Sequence, residues 1–252
     1  MGFKFKETLW DLAWSLLAEV ALFAPLVLGG DSMPMPSLPV QAEVVARSSS
    51  SALVLSHYRV IASAPEQKKI EAILGSLENV PDAIERKVND SGGQVVIFDG
   101  ALTDIEELGY LRGKTPPFRT DGGTYDEVYG FFSLDYNTGL GTAYVHQDKR
   151  TSHNYYTTEL HEYGHMVDNL IRTPIQGKLS SSEEFMRIFS YNAISLFGDT
   201  TRFWKDTPKE SFANFFALFY SLEKGRDWMR ESFPDVHSYF ENLERRIVDG
   251  HF

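Results

Sequence analysis

The stretch Glu159-Leu160-His161-Glu162-Tyr163-Gly164-His165-Met166-Val167-Asp168 decides how this chain reads. On a helix, His161 and His165 lie one turn apart and share a face. Leu160, Val167, Leu170 and Ile171 supply the buried stripe of that helix. Thr173-Pro174 predicts its end, because proline disfavours helical geometry in the residue before it. Two neutral imidazoles at this spacing can share one Zn2+. Glu162 then projects beside them, where a carboxylate can take a proton from water whose pKa the metal lowers to about 7. A chain of this composition carries the His-Glu-x-x-His pattern by chance only on the order of 0.01 times. Gly164 adds weight, since a glycine inside a helix costs about 1 kcal/mol relative to alanine and is tolerated where another backbone approaches closely.

A catalytic zinc needs a third protein ligand and an open fourth position. Thr207-Pro208-Lys209-Glu210 opens a downstream helix, with Thr207 as N-cap and Pro208 at the first helical position. The run from Ser211 to Leu222 holds Phe212, Phe215, Phe216 and Phe219, which predicts deep packing. Glu210 therefore reads either as a capping-box glutamate or as the third ligand. Glu183, Glu184 and Asp206 are the rival carboxylates.

Upstream of this region the pattern is mixed α and β, in one domain covering residues 52–252. Leu53 to Ile61, Val95 to Phe98, Val128 to Leu134 and Thr142 to His146 read as strands. Asn137-Thr138-Gly139 joins the last two. Ser63 and Glu66 predict a capping box for a helix running to Leu77, and a second helix starts at Pro81. From Thr157 onward the pattern is helical. Residues 1–51 differ in character and read as an export or anchor segment followed by a Pro/Ser-rich linker. Their clean apolar core, Val20 to Leu28, is too short to span a bilayer and suits a signal peptide, with cleavage after Ala42. Secretion is the expectation, and a membrane-anchored surface protein is the alternative.

The 24 Lys+Arg against 35 Asp+Glu give a net charge of −11, which argues against nucleic acid as a partner. Cysteine is absent, so disulfides, thiol nucleophiles and Cys-ligated zinc are all excluded. Any metal must be held by His, Asp and Glu. His146 and His153 lie close enough upstream to line a cleft or donate to an oxyanion, or to be strand-end and surface histidines. Asp168, on the face of the two histidines, either orients a ligand imidazole or is a solvated acid. His57, His237 and His251 belong to no constellation.

These blocks resemble the catalytic domain of anthrax toxin lethal factor and its smaller secreted relatives, the bacterial Pro-Pro endopeptidases. The resemblance covers roughly residues 52 to 225. The Glu-Leu-His-Glu-Phe-Gly-His-x-Val-Asp block of that family stands here as Glu159 to Asp168, and its Glu-Phe-Phe-Ala-x-x-Phe block as Glu210 to Phe216. Gly122 to Gly130 is similar to its Gly-x-Thr-Trp-Asp-x-Val-Pro-Gly block, and Leu102-Thr103-Asp104 and Gly113-Lys114-Thr115-Pro116 also look familial. The resemblance implies an α+β, zincin-like fold, with a small twisted mixed sheet over the metal-binding helix and a helical C-terminal half. It implies Zn2+ held by His161, His165 and Glu210, with Glu162 as the catalytic base. It also implies a peptide or protein substrate extended along an edge strand, for which Gly141 to His146 is the natural candidate. Tyr125, at the Trp of the upstream block, is the expected substrate-binding aromatic, and a monomer is expected.

The chain also departs from the pattern. Phe203 stands where the family has a tyrosine able to stabilise the oxyanion, and losing one such donor typically costs about 10²–10³ in rate. Tyr155, Tyr156 or Tyr191 are the hydroxyls that can replace it. Tyr129 replaces the proline of the upstream block, and Lys209 and Asn214 stand where the family often has acids. Two functions follow: a secreted zinc endopeptidase acting on extended, Pro-rich substrates, or a catalytically weak zinc-binding recognition module of the same fold.

Overall fold

In the computed structural model, the structure describes residues 57–117, 122–148, 157–171, 177–196, 208–221 and 223–251, the side chains of 190–196 excepted. The N-terminal segment 1–51, the helix stop at Thr173-Pro174, His153, Tyr155, Tyr156, Phe203, Asp206, Thr207 and the side chain of Tyr191 lie outside the described residues.

Short runs of branched and aromatic residues form four strands: β1 (Tyr58–Ile61), β2 (Gly93–Phe98), β3 (Gly130–Leu134) and β4 (Gly141–His146). They make one sheet in the order β1-β2-β4-β3. The first three are parallel, while β3 pairs antiparallel with β4, Phe131 opposite Tyr144 and Phe132 opposite Ala143. Helices α1 (Gln67–Leu77) and α2 (Asp82–Asp90) form the crossover from β1 to β2. The C-terminal half is helical, as expected: α3 (Thr158–Leu170), α4 (Glu183–Leu196), α5 (Pro208–Ser221), α6 (Glu223–Ser232) and α7 (Pro234–Val248). This is an α+β architecture.

Successive strand residues point to opposite faces of a sheet, and here the two faces serve two separate cores. Val95, Ile97, Ala143 and Val145 face α1, α2 and α3, where they meet Ile73, Leu77, Ile84, Leu160, Met166 and Val167 in the main core. Val96, Phe98 and Tyr144 face the other way, onto Leu102, Ile105, Leu108 and Leu111 from two 3-10 turns. Strands β2 and β4 are covered on both sides, which is why β2 reads as a continuous apolar run rather than an alternating one. Fully burying one large apolar side chain is worth about 1.5–3 kcal/mol, and Phe212, Phe215 and Phe216 on α5 are each at most 1% exposed.

Two expectations are corrected. Strand β4 is not an edge: it is flanked by β2 and β3, and among the described residues the edge on this side belongs to β3. The Ser63/Glu66 capping box does not form either. Glu66 is the N-cap of α1 without a side-chain cap. Ser63 is drawn instead to the end of β2, where its N–H and hydroxyl donate to the Asp99 carboxylate at 3.0 and 2.9 Å. The 137–139 loop forms as expected. Asp135 accepts from Asn137 N–H at 2.9 Å and the Thr138 hydroxyl at 2.7 Å, and Gly139 adopts φ +75°, a conformation that strongly favours glycine.

Candidate metal centre

Helix α3 is enclosed on nearly every side, with twelve of its thirteen residues buried. Its Gly164 is what lets α5 approach. A Cβ built on Gly164 would stand 2.9 Å from the Ala213 Cα and 3.1 Å from the Ala213 carbonyl oxygen. Real Cβ atoms essentially never come that close to backbone, so the glycine sets the separation of the two helices. The crossing carries Glu210, the third residue of α5, over the turn of α3 that holds His161 and His165.

There His161, His165 and Glu210 converge, each offering a ligand atom within 4.8 Å of the others. Glu210 Oε2 lies 3.2 Å from His165 Nε2 and 3.5 Å from His161 Nε2. Ligand bonds of about 2.0–2.2 Å arranged tetrahedrally place neighbouring donor atoms roughly 3.3–3.5 Å apart, so the spacing fits one small divalent ion. The two imidazoles stand edge to face, ring centres 4.7 Å apart, and Phe132 of β3 stacks on His165.

The proton on His161 is fixed by its neighbour. Asn214, one turn after Glu210 on α5 and 3% exposed, accepts a hydrogen bond from His161 Nδ1 at 2.8 Å. A carbonyl oxygen only accepts, so Nδ1 carries a hydrogen, and Nε2, which faces Glu210, is the nitrogen left for a metal to take. That is the arrangement a metal-ligating histidine needs, held by a partner of the usual kind. Burial by itself would raise Glu210, but the imidazoles of His165 and His161 outweigh it and hold the carboxyl well below the usual carboxylate range. One carboxylate and two imidazoles are a donor set that suits a dication.

Glu162, on the same turn, is 7% exposed, and burial pushes its carboxyl up to about 7. Its carboxylate lies against Gly130, the first residue of β3.

The other candidates fall elsewhere. Tyr125 packs edge-on to Phe131, ring centres 5.7 Å apart, in the core on the sheet face away from α3. It is not brought together with the histidines. Asp126 beside it accepts from Gly113 N–H at 2.9 Å, the Thr124 hydroxyl at 2.8 Å and the Thr103 hydroxyl. These donors, Thr103 first, hold its carboxyl down to about 2. Asp168 is fully buried and faces away from both imidazoles' needs: its two oxygens accept from Ser180 N–H at 2.6 Å and the Ser180 hydroxyl at 2.8 Å, tying α3 to the turn before α4. Of the two readings left open for Asp168, neither describes it: it is neither solvated nor the partner of an imidazole, and Asn214 is the residue that contacts His161. His146 Nδ1 accepts from Asp148 N–H, so its Nε2–H donates to the Gly100 carbonyl, both at 3.0 Å. This strand-end histidine is committed to backbone. His237 packs on Phe219 in the helical half, and Glu183 and Glu184 open α4. Sequence reasoning missed the role of Asn214, although its position one turn beyond Glu210 was a readable signal. It missed Gly130 as well, which carries no local signal.

The family described as "Anthrax toxin lethal factor, N- and C-terminal domain" matches residues 60–243. The chain is 25% identical over 181 residues to the Pro-Pro endopeptidase of Clostridioides difficile (strain 630), covering 71% of this chain and 78% of that one. It is 28% identical over 169 residues to the Pro-Pro endopeptidase of Paenibacillus alvei, covering 66% and 73%. The solved structure of the Paenibacillus alvei enzyme superposes with a TM-score of 0.65 at 24% identity, over 76% of this chain and 99% of that chain, a likeness of fold.

Proposed function

This chain belongs to the anthrax toxin lethal factor family, and from that premise we propose that it is a zinc-dependent endopeptidase, secreted, that hydrolyses extended protein substrates at proline-rich sites. The observation that carries the reading is the meeting of His161, His165 and Glu210 at ligand spacing, with Asn214 engaging His161 through Nδ1. Two relatives, both Pro-Pro endopeptidases, favour a working peptidase over a weak recognition module and make the Pro-Pro bond the first substrate class to test.

His161, His165 and Glu210 would hold the zinc. When bound, the ion supplies Lewis acidity, polarising the substrate carbonyl and acidifying water. Glu162 is the general base: it takes a proton from the attacking water as the new C–O bond forms, then gives it to the amide nitrogen as the C–N bond breaks. Burial suits this task, since a carboxyl near neutrality both accepts and returns a proton. Strand β3 holds the substrate. The Tyr129 carbonyl accepts from His146 N–H, so by the two-residue alternation of an antiparallel ladder Tyr129, Phe131 and Ser133 bond to β4. Gly130 and Phe132 turn their N–H and C=O to the free edge, where an extended peptide can add as a strand. Tyr125 supports β3 from its far face through Phe131. No helix among the described residues is long and apolar enough to cross a membrane.

The test is a peptide-library digest read by mass spectrometry. Zinc near one per chain and cleavage abolished by Glu162→Ala are expected. A protein that takes up no stoichiometric zinc refutes the reading. Sequencing the mature amino terminus tests secretion, with a start near Glu43 expected.

A further inference from the structure

We propose that Gly130 is a positioning residue for the Glu162 carboxylate, its missing side chain being the space in which the base is seated. The inference rests on the reading of Glu162 as the general base.

Glycine at this position has no conformational reason. Gly130 is not among the residues with left-handed φ, and it pairs in regular register with Val145. Any L-residue could take up that backbone. What excludes a side chain is space. A Cβ on Gly130 would stand 2.6 Å from Glu162 Oε1, 2.9 Å from Glu162 Cγ and 2.4 Å from Thr158 Cγ2. Thr158 and Glu162 are four apart on α3, so they project from one face. They straddle the bare strand between them.

The closest clash is with the Thr158 methyl, and the other falls on Oε1 and Cγ of the flexible Glu162 side chain, so once the Thr158 methyl is gone an added methyl group displaces the carboxylate. Gly130 also directs its own N–H and C=O to the free edge of β3. The residue that seats the base is thus the residue that would pair with the substrate backbone. Its bareness ties the height of the carboxylate to the register of the scissile bond. A displacement of about 1 Å at such a centre can cost roughly 10² in rate, while the metal ligands, which do not touch Gly130, keep their positions.

The experiment compares Gly130→Ala with the parent, both in a Thr158→Ser background that removes the clash with the Thr158 methyl. Zinc content, thermal unfolding, kcat and KM are measured on a Pro-Pro peptide. The expected result is a kcat lowered about 10²-fold, with zinc stoichiometry and the unfolding midpoint unchanged and KM within about threefold. On a Glu162→Asp background, where the shorter acid draws back from the added methyl, Gly130→Ala costs under about threefold. An unchanged kcat, an equal loss on both backgrounds, or a loss accompanied by loss of zinc overturns the proposal. A crystal structure of the Gly130→Ala, Thr158→Ser protein separates this from the peptidase reading. If the parent cleaves no peptide, the function falls, yet a carboxylate shifted by about 1 Å upholds the positioning role and an unmoved one rejects it.

Discussion

Asn214 is a single amide whose loss the metal centre should feel. Replacing it with leucine, similar in size but unable to accept, leaves the His161 Nδ1 hydrogen buried without a partner. Losing such an orienting contact typically weakens metal affinity 10–100-fold. Competition with a chelator should show that drop in Asn214→Leu, and Asn214→Asp should retain tight binding. Glu85 offers a test of electrostatics away from the centre. It is 3% exposed, and burial first, then the Asp82 and Glu78 carboxylates, raises its carboxyl from 4.5 to about 7. The folded state therefore keeps a proton that the unfolded chain sheds. Its contribution is whole below pH 4.5 and is lost as pH rises through about 7, so stability declines across that window. Glu85→Gln should remove that decline. Its unfolding midpoint should exceed the parent's by about 2–4 °C at pH 8 and match it at pH 4, as scanning calorimetry can show.

At the scale of elements, the α3–α5 crossing is the joint on which the centre depends. Gly164→Ala gains about 1 kcal/mol of helix propensity but drives a methyl into the Ala213 backbone, and overpacking of this kind costs about 1–3 kcal/mol. Because Glu210 and Asn214 ride on α5, the same change should weaken zinc binding, a coupling that titrating the variant with zinc during thermal unfolding would reveal. Much of this was legible in the sequence. The His161/His165 spacing and the Pro208 start of α5 rest on local rules, and both held. The position of β4 was not legible. Periodicity marks a segment as a strand but says nothing of its order in the sheet, which is set by pairing with residues 48 positions away on β2. Tyr125 illustrates the same limit: its partner Phe131 and the histidine-stacking Phe132 are adjacent in the chain and belong to opposite cores. Asn214 was visible as a departure from the family pattern, but its role needed the geometry of two helices at once.

Across the whole molecule, folding does not hang on the ion. The main core gathers residues from the sheet and from α1, α2, α3, α5 and α7, and Phe212 meets Phe185, Tyr239 and Phe240 in an aromatic cluster that involves none of the three candidate ligands. Chelation should therefore leave the far-ultraviolet circular dichroism nearly unchanged and lower the unfolding midpoint only by linkage. At a hundredfold excess of zinc over its dissociation constant that effect is about 2.7 kcal/mol. A chain that unfolds outright on chelation contradicts this. Phe203→Tyr, at the expected oxyanion position, should raise turnover by up to about 10²-fold if no other hydroxyl acts there. Unchanged turnover means that one does.

The tight bend between Asp135 and Leu140 has a wider reach than its size suggests. It counts out the pairing of β3 with β4, and a sheet strand keeps every second residue on the same side. One residue inserted at 137 would roll β3 half a revolution about its long axis. Phe131 would then swing toward His165, and the backbone groups of Gly130 would turn inward. Four strands would remain, but the hydrolytic surface would be dismantled from a distance by a change at a corner that never touches it.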